Sequence, residues 1–408
     1  MDNTMYWLWL VECFGVGNSR IWNVLSHYED NPVEAYEALK DGKSPLLLPN
    51  EAKNARNTYI ENMDEIIEYC QESNYNIICI DDRRYPERLK GIYNPPALLF
   101  CMGDPSFIND EVVVTVVGTR RPSEYSVKFA KRICAELVAV GTVLASGFAL
   151  GIDSMAHQAS LKANARTVAV LGCGLDVKYP AENADIKKII AVHGAVITEF
   201  FPGTRPEPKN FPQRNRILSG ISLGTLVIEA SPRSGALITA DLAINQGRDV
   251  FCVPPADLFD QRYAGVIRLI REGAIPTFSH LDIMFEYYEN FSHKLISVNP
   301  FSDYSGEQNI MTERKVSSEK KMKETSALEK NNETEKNENN VCKENKTDYS
   351  QYNDEQKSII MALERGGSLT PDEISALTGR NISVILSELT ELEMSGDITK
   401  RPGQRYSI

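Results

Sequence analysis

Through the middle of the chain, short apolar and β-branched runs recur at 112–117, 143–145, 167–171, 195–199, 225–229 and 250–253. Unbroken apolar strands of this kind are buried on both faces of a sheet. Amphipathic stretches of helical period separate them. Strand and helix therefore alternate, which predicts repeated βαβ units and an α/β fold built on a doubly wound parallel sheet. Such sheets bind ligands outside the carboxyl ends of their strands.

The flanks follow other patterns. Residues 1–105 are helical in pattern and end in a connector around Tyr93-Asn94-Pro95-Pro96-Ala97, so a small helical N-terminal module is expected ahead of a strand-rich domain over 106–285. Residues 297–350 are low in apolar content, with 9 Lys+Arg and 11 Asp+Glu between 301 and 350. They read as a disordered linker, because too little surface can be buried to offset ordering entropy. Over 354–408 the pattern is that of a winged helix. A first helix spans 354–365. Thr370-Pro371-Asp372-Glu373 caps a second. A third runs from about Ser383 to Ser395, stopped by Gly396. Ile398 and Tyr406-Ser407-Ile408 form the wing.

Charge at first argues against a polyanionic partner, since 44 Lys+Arg face 56 Asp+Glu for a net −12. Division by zone changes that picture. Residues 111–280 carry 19 Lys+Arg against 15 Asp+Glu, so the acidity lies outside the predicted sheet domain. No apolar run reaches the roughly 18 residues of a membrane span. The apolar start from Met5 to Val11 reads as a core helix rather than a secretory signal. The 8 cysteines form no CxxC, which suits buried thiols of a cytoplasmic protein. The histidines have no metal spacing.

Small and polar residues follow strand after strand: Gly118-Thr119-Arg120-Arg121, Ser146-Gly147 through Gly151-Ile152-Asp153, Gly172-Cys173-Gly174, and Ser231 to Ser234-Gly235, continuing to Thr239. Glycine lets a phosphate approach the backbone, and helix N-termini offer free N–H groups with positive dipole. Lys209, Phe211, Arg214, Asn215 and Arg216 add cations, a stacking face and an amide. The predicted site is a basic rim of Arg120, Lys209, Arg214 and Arg216. Gly118, Ser146, Gly147, Ser234 and Gly235 supply backbone approach, and single-stranded nucleic acid is the expected ligand. Catalytic patterns are poor. GxSxG is absent, Gly172-x-Gly174 lacks its third glycine because position 177 is Val, and no cofactor is implied. His157, four residues after Asp153, reads as a core or capping residue.

These residues resemble the DNA-processing protein A family, also called Smf. The likeness runs from about Tyr85 to Ile275. It includes Tyr85-Pro86-Glu87-Arg88-Leu89, Val117-Gly118-Thr119-Arg120, Ser146-Gly147-Phe148-Ala149-Leu150-Gly151-Ile152-Asp153, Tyr179-Pro180, Phe211-Pro212-Gln213-Arg214-Asn215-Arg216 and Ser234-Gly235 to Thr239-Ala240. The resemblance implies an extended Rossmann-like domain that binds single-stranded DNA in the cytoplasm, brings the RecA recombinase onto it, dimerises and performs no catalysis. It implies a role in natural transformation or related recombination. Pro254-Pro255 and Gly265-Val266-Ile267 depart from the family's pattern and set the 254–267 loop apart. A different reading of the same fold is a nucleoside-monophosphate phosphoribohydrolase, with Glu229 as its acid, although the Pro-Gly-Gly-x-Gly-Thr loop of those enzymes is absent.

Neither end module reads as a strong DNA reader. Phe14-Gly15-Val16-Gly17 has the form of a helix-hairpin-helix turn, but its surroundings are acidic and rich in Trp, so a packed module is expected. The third helix of the winged unit carries Glu388, Glu391 and Glu393 as its only charges, which favours protein contact over duplex reading. Lys400, Arg401 and Arg405 on the wing are the opposing signal.

Overall fold

The computed structural model describes residues 3–295 and, apart from 368, 379, 381, 396 and 402–404, residues 352–407. Two compact units result, Met1–Glu319 and Lys320–Ile408. The stretch expected to be a linker, 297–350, lies outside the described residues.

The first unit opens with five helices: α1 (Thr4–Phe14), α2 (Arg20–Leu25), α3 (Pro32–Leu39), α4 (Pro49–Asn57) and α5 (Asn62–Glu72). Then come β1 (Asn76–Cys79), α6 (Glu87–Lys90) and β2 (Leu98–Gly103). The wound core follows as β3 (Val113–Val117), α7 (Glu124–Ala139), β4 (Val143–Ser146), α8 (Ile152–Lys162), β5 (Thr167–Val170), α9 (Ala184–His193) and β6 (Ala195–Thr198). It continues through α10 (Asn210–Gly220), β7 (Gly224–Val227), α11 (Gly235–Asn245), β8 (Asp249–Cys252), α12 (Ala264–Arg271), β9 (Ile275–Pro276) and α13 (His280–Phe291).

Nine strands form one sheet in the order β1-β2-β6-β5-β4-β3-β7-β8-β9. The stretch from β6 to β9 is parallel, while β1 and β2 add on as an antiparallel extension, with Cys101 opposite Ile197. The helical reading of 1–105 misses these two strands. Every residue of β3 is buried, as its apolar sequence requires. Val113 and Val117 pack toward α10, α11 and α12, whereas Val114 and Val116 pack toward α7, α8 and α13. The sheet is therefore wound on both faces. Each fully buried Val or Leu contributes about 1.5–3 kcal/mol through apolar area removed from water.

The N-terminal helices extend one of these layers. Trp7, Trp9, Leu10, Val24 and Leu39 share a core with Phe100 of β2, Ala169 of β5, Val196 of β6 and Phe148. Polar ties seal the seam. The Trp22 indole donates to the Pro95 carbonyl at 3.0 Å, and the Trp7 indole to Asp81 Oδ2 at 3.2 Å.

The second unit contains α14 (Asp354–Gly366), α15 (Pro371–Thr378), α16 (Ile382–Ser395) and the hairpin of β10 (Thr399–Arg401) with β11 (Arg405–Ser407). Its caps are those the sequence announces. The Glu373 N–H donates to Thr370 Oγ1 at 3.3 Å, and the Thr370 N–H donates back to Glu373 Oε2 at 2.8 Å. Ile359, Leu363, Ile374, Ile385, Leu389 and Ile398 fill its core. Among the described residues, no helix is long and apolar enough to cross a membrane.

Candidate nucleic-acid interface

The order of the strands reverses between β3 and β7. From β3 the chain winds one way through β4, and from β7 it winds the other way to β8. Loops leaving the two strands diverge there and leave a crevice at their carboxyl ends. A groove of about 430 Å³ occupies it, walled by Gly118, Thr119, Arg120 and Arg121 after β3, by Gly147, Ala149 and Asp153 around the start of α8, by Phe211, Arg214 and Asn215 of α10, and by Ser231, Ser234, Gly235 and Thr239 at the start of α11.

Sterics decide the glycines. A Cβ on Gly118 would sit 2.7 Å from Ile152 Cγ1, and one on Gly147 would sit 2.7 Å from Arg214 Nη2 and 2.8 Å from Asp153 Oδ2. Both loops therefore lie flat on their neighbours and leave the groove open. At its far wall the Ser234 hydroxyl caps α11 by accepting from the Ala236 N–H at 3.3 Å. Helix α8 begins beside the β4 loop, after Gly151 at φ 80°. Two helix N-termini thus point positive dipole toward the crevice.

Helix α10 presents its residues by phase. At about 100° per residue, Phe211, Arg214, Asn215 and Leu218 share the face that lines the groove. Arg214 is buried; its Nη1 donates to the Gly147 carbonyl at 2.7 Å and to the Val170 carbonyl. Burial pulls its guanidinium down to about 10, with Asp153 pulling the other way, so it stays a cation at neutral pH. Asp153 forms part of the floor, and its Oδ2 accepts from the Ala149 N–H at 3.2 Å. Burial raises that carboxyl above its ordinary range, against the pull of Arg214. Arg120 is exposed, with its guanidinium over the Phe211 ring. Beyond it a recess of about 60 Å³ continues the groove under Tyr179, Leu150 and Cys173, where the Tyr179 and Phe211 rings lie 5.7 Å apart.

Three predicted site residues lie elsewhere. Ser146 ends β4 with its hydroxyl donating to the Val116 carbonyl at 2.7 Å, so it closes the sheet rather than facing a ligand. Arg216 is turned by about 200° from Arg214 on the same helix. It is buried in an ion pair with Glu199, not on the rim. Lys209 is exposed but sits outside the groove, paired with Glu207 at 2.9 Å. The segment from 210 is helical, which sets these directions. Arg121, a rim cation beside Arg120, lines the groove as expected from its place after β3, whereas Tyr179, Ser231 and Asp153 line the cavities without being among the predicted binding residues, although each stands in a stretch that the sequence marks.

Two residues with catalytic potential are engaged. Glu229 Oε2 accepts from the Ser123 N–H at 3.0 Å and from the Ser123 hydroxyl at 2.8 Å, and the carboxylate is buried. His157 is buried against Phe148, and its Nδ1 meets Thr167 Oγ1 at 2.9 Å. The Gly15-Val16-Gly17 turn faces inward too, with the Val16 carbonyl accepting from Gln213 Nε2 at 2.7 Å.

Known proteins resemble this chain over the same elements. A family model described as DNA recombination-mediator protein A matches residues 76–288, and one described as DprA winged helix domain matches 345–404. The chain is 39% identical over 237 residues to DNA processing protein DprA of Bacillus subtilis (strain 168), covering 58% of this chain and 80% of that one. It is 30% identical over 411 residues to Protein Smf of Synechocystis sp., covering 98% of each. Among solved structures, DNA processing protein A from Streptococcus pneumoniae superposes with a TM-score of 0.60 at 32% identity, over 70% of this chain and 99% of that one.

Proposed function

The chain belongs to the DNA recombination-mediator protein A family, and from that membership we propose that the groove between β3 and β7 binds single-stranded DNA without catalysis and delivers it to a recombinase of the RecA type. One observation carries the reading: an exposed Arg120 over the Phe211 ring, set between two helix N-termini in an open groove. Phosphates take the arginine and the helix ends. A base takes the aromatic face, which stacks on any base alike.

The ligand is a strand rather than a duplex because its unpaired bases are free to stack. Binding is sequence-tolerant and weakens with salt as counterions are released. The family description as a recombination mediator supports the recombinase as partner, and the resemblance supports a homodimer working in the cytoplasm during natural transformation or related recombination. The phosphoribohydrolase reading finds no support at Glu229, whose carboxylate already caps α7 through Ser123.

For the winged unit we propose protein contact. Glu388 accepts from Asn353 and Glu391 from Gln356 on the surface of α16, where a recognition helix would need cations.

A salt-titrated binding series with single- and double-stranded oligonucleotides, run on the full chain and on a chain lacking 297–408, tests these roles. The reading requires single-strand preference to survive the truncation. Equal affinity for duplex, or release of free base from nucleotides that is lost in Glu229→Gln, would overturn it.

A further inference from the structure

Gln213 lies on the side of α10 away from the groove, between Phe211 and Arg214 in sequence. Its Nε2 donates to the Val16 carbonyl at 2.7 Å, and its amide also lies against the Glu199 carboxylate. Glu199 in turn holds Arg216, one helical turn further along α10. The opposite side of the contact is equally fixed. Asn94 Nδ2 donates to the Gly17 carbonyl at 2.7 Å, Asn18 Nδ2 donates to the Phe14 carbonyl at 2.7 Å, and Gly17 sits at φ 72°. A Cβ at Gly17 would fall 1.8 Å from Gln213 Nε2, so the turn is shaped to let this one side chain in. In this turn the Val16 and Gly17 carbonyls are both taken up by side chains of the rest of the unit, Gln213 and Asn94.

We propose that Gln213 is a positioning residue for the groove: by bridging the N-terminal turn and the segment after β6, it sets the rotation of α10 about its axis and hence the plane in which Phe211 is offered to a base. The inference rests on the strand-binding reading above. The N-terminal module then acts on the groove from behind, since its turn braces the back of the helix whose front meets the strand. A rotation of α10 by part of one residue step would swing Phe211 away from Arg120 while leaving the sheet intact.

The test uses the full chain and a fluorescent oligothymidine. Gln213→Met keeps the length and removes the amide, and Gln213→Asn keeps the amide and removes the reach. Each variant should stay folded, melting no more than a few degrees below the parent for the one bond lost, and should bind about 2- to 10-fold more weakly, the span of a free energy no larger than that bond. The slope of log affinity against log salt should not change, because no phosphate contact is removed. In a Phe211→Ala background either substitution should add no further loss, since both act through one ring. An equal loss with and without Phe211, or no loss in either folded variant, would overturn the proposal while strand binding stands. A parent chain that fails to hold the oligonucleotide at low salt would remove both.

Discussion

The Arg120 guanidinium carbon stands 5.9 Å from the centroid of the Phe211 ring, so a charge from the β3 loop and an aromatic face from α10 meet across the groove. Attraction between cation and ring quadrupole holds the arginine over the crevice without neutralising it. Removing it is therefore expected to cost binding and not folding. Arg120→Ala should lower affinity for every single-stranded sequence alike and reduce the salt slope by about 0.7, the value of one phosphate on a single strand. Thermal unfolding should be unchanged. A variant with the parental salt slope would place the phosphate contact elsewhere.

Phe211 carries the other half of the pair. Its truncation to Ala should remove about 1–3 kcal/mol of binding, as one base loses its stacking platform. Phe211→Tyr should keep most of it. Binding isotherms on homopolymeric oligonucleotides of different base would check both the size and the indifference to sequence.

Arg216 is expected to behave in the opposite way. Its pair with Glu199 is buried, and burial raises the Glu199 carboxyl, with Arg216 opposing that rise. Arg216→Ala leaves an uncompensated buried carboxylate and should cost about 3–5 kcal/mol of folding stability. Chemical denaturation would measure that loss, and the fraction still folded should bind DNA nearly as the parent does. A full loss of binding with parental stability would return Arg216 to the rim.

The buried His157 imidazole gives a prediction in pH. Burial lowers its pKa from 6.5 to about 3. Between those values the unfolded chain binds a proton that the folded chain refuses, so stability falls as pH drops through that window and gains nothing above it. The contribution is at most about 1.4 kcal/mol per pH unit. His157→Gln should flatten the acid limb of a stability profile between pH 6.5 and 3. An unchanged limb would assign the acid sensitivity to other groups.

Legibility followed the physics of burial. The six core strands are apolar on both faces, and their sequence pattern placed them to within a residue or two. Strands β1 and β2 escaped because they lie outside the alternation of strand and helix, and the Pro-rich connector between them reads as the end of a helical module. At the site, the glycine turns, Arg120 and Phe211 were each marked because loops follow strands in order, but that Arg120 and Phe211 meet across the groove was not legible. The roles of Arg214 and Arg216 were not. Two residues apart on a helix they face opposite ways, and only the knowledge that 210–220 is helical separates them. Ser146 misled similarly, since the last residue of a buried strand spends its hydroxyl on the neighbouring strand.

All three tryptophans of the chain, at 7, 9 and 22, lie in the helices that share a core with β2, β5 and β6. Intrinsic emission therefore reports on a layer that cannot come apart without stripping one face of the sheet. In a chain lacking 297–408, emission and far-ultraviolet dichroism should lose their native signals at the same denaturant concentration. The chain thus carries a native optical probe for its whole first unit, spectrally clear of the aromatic ring a bound strand would cover.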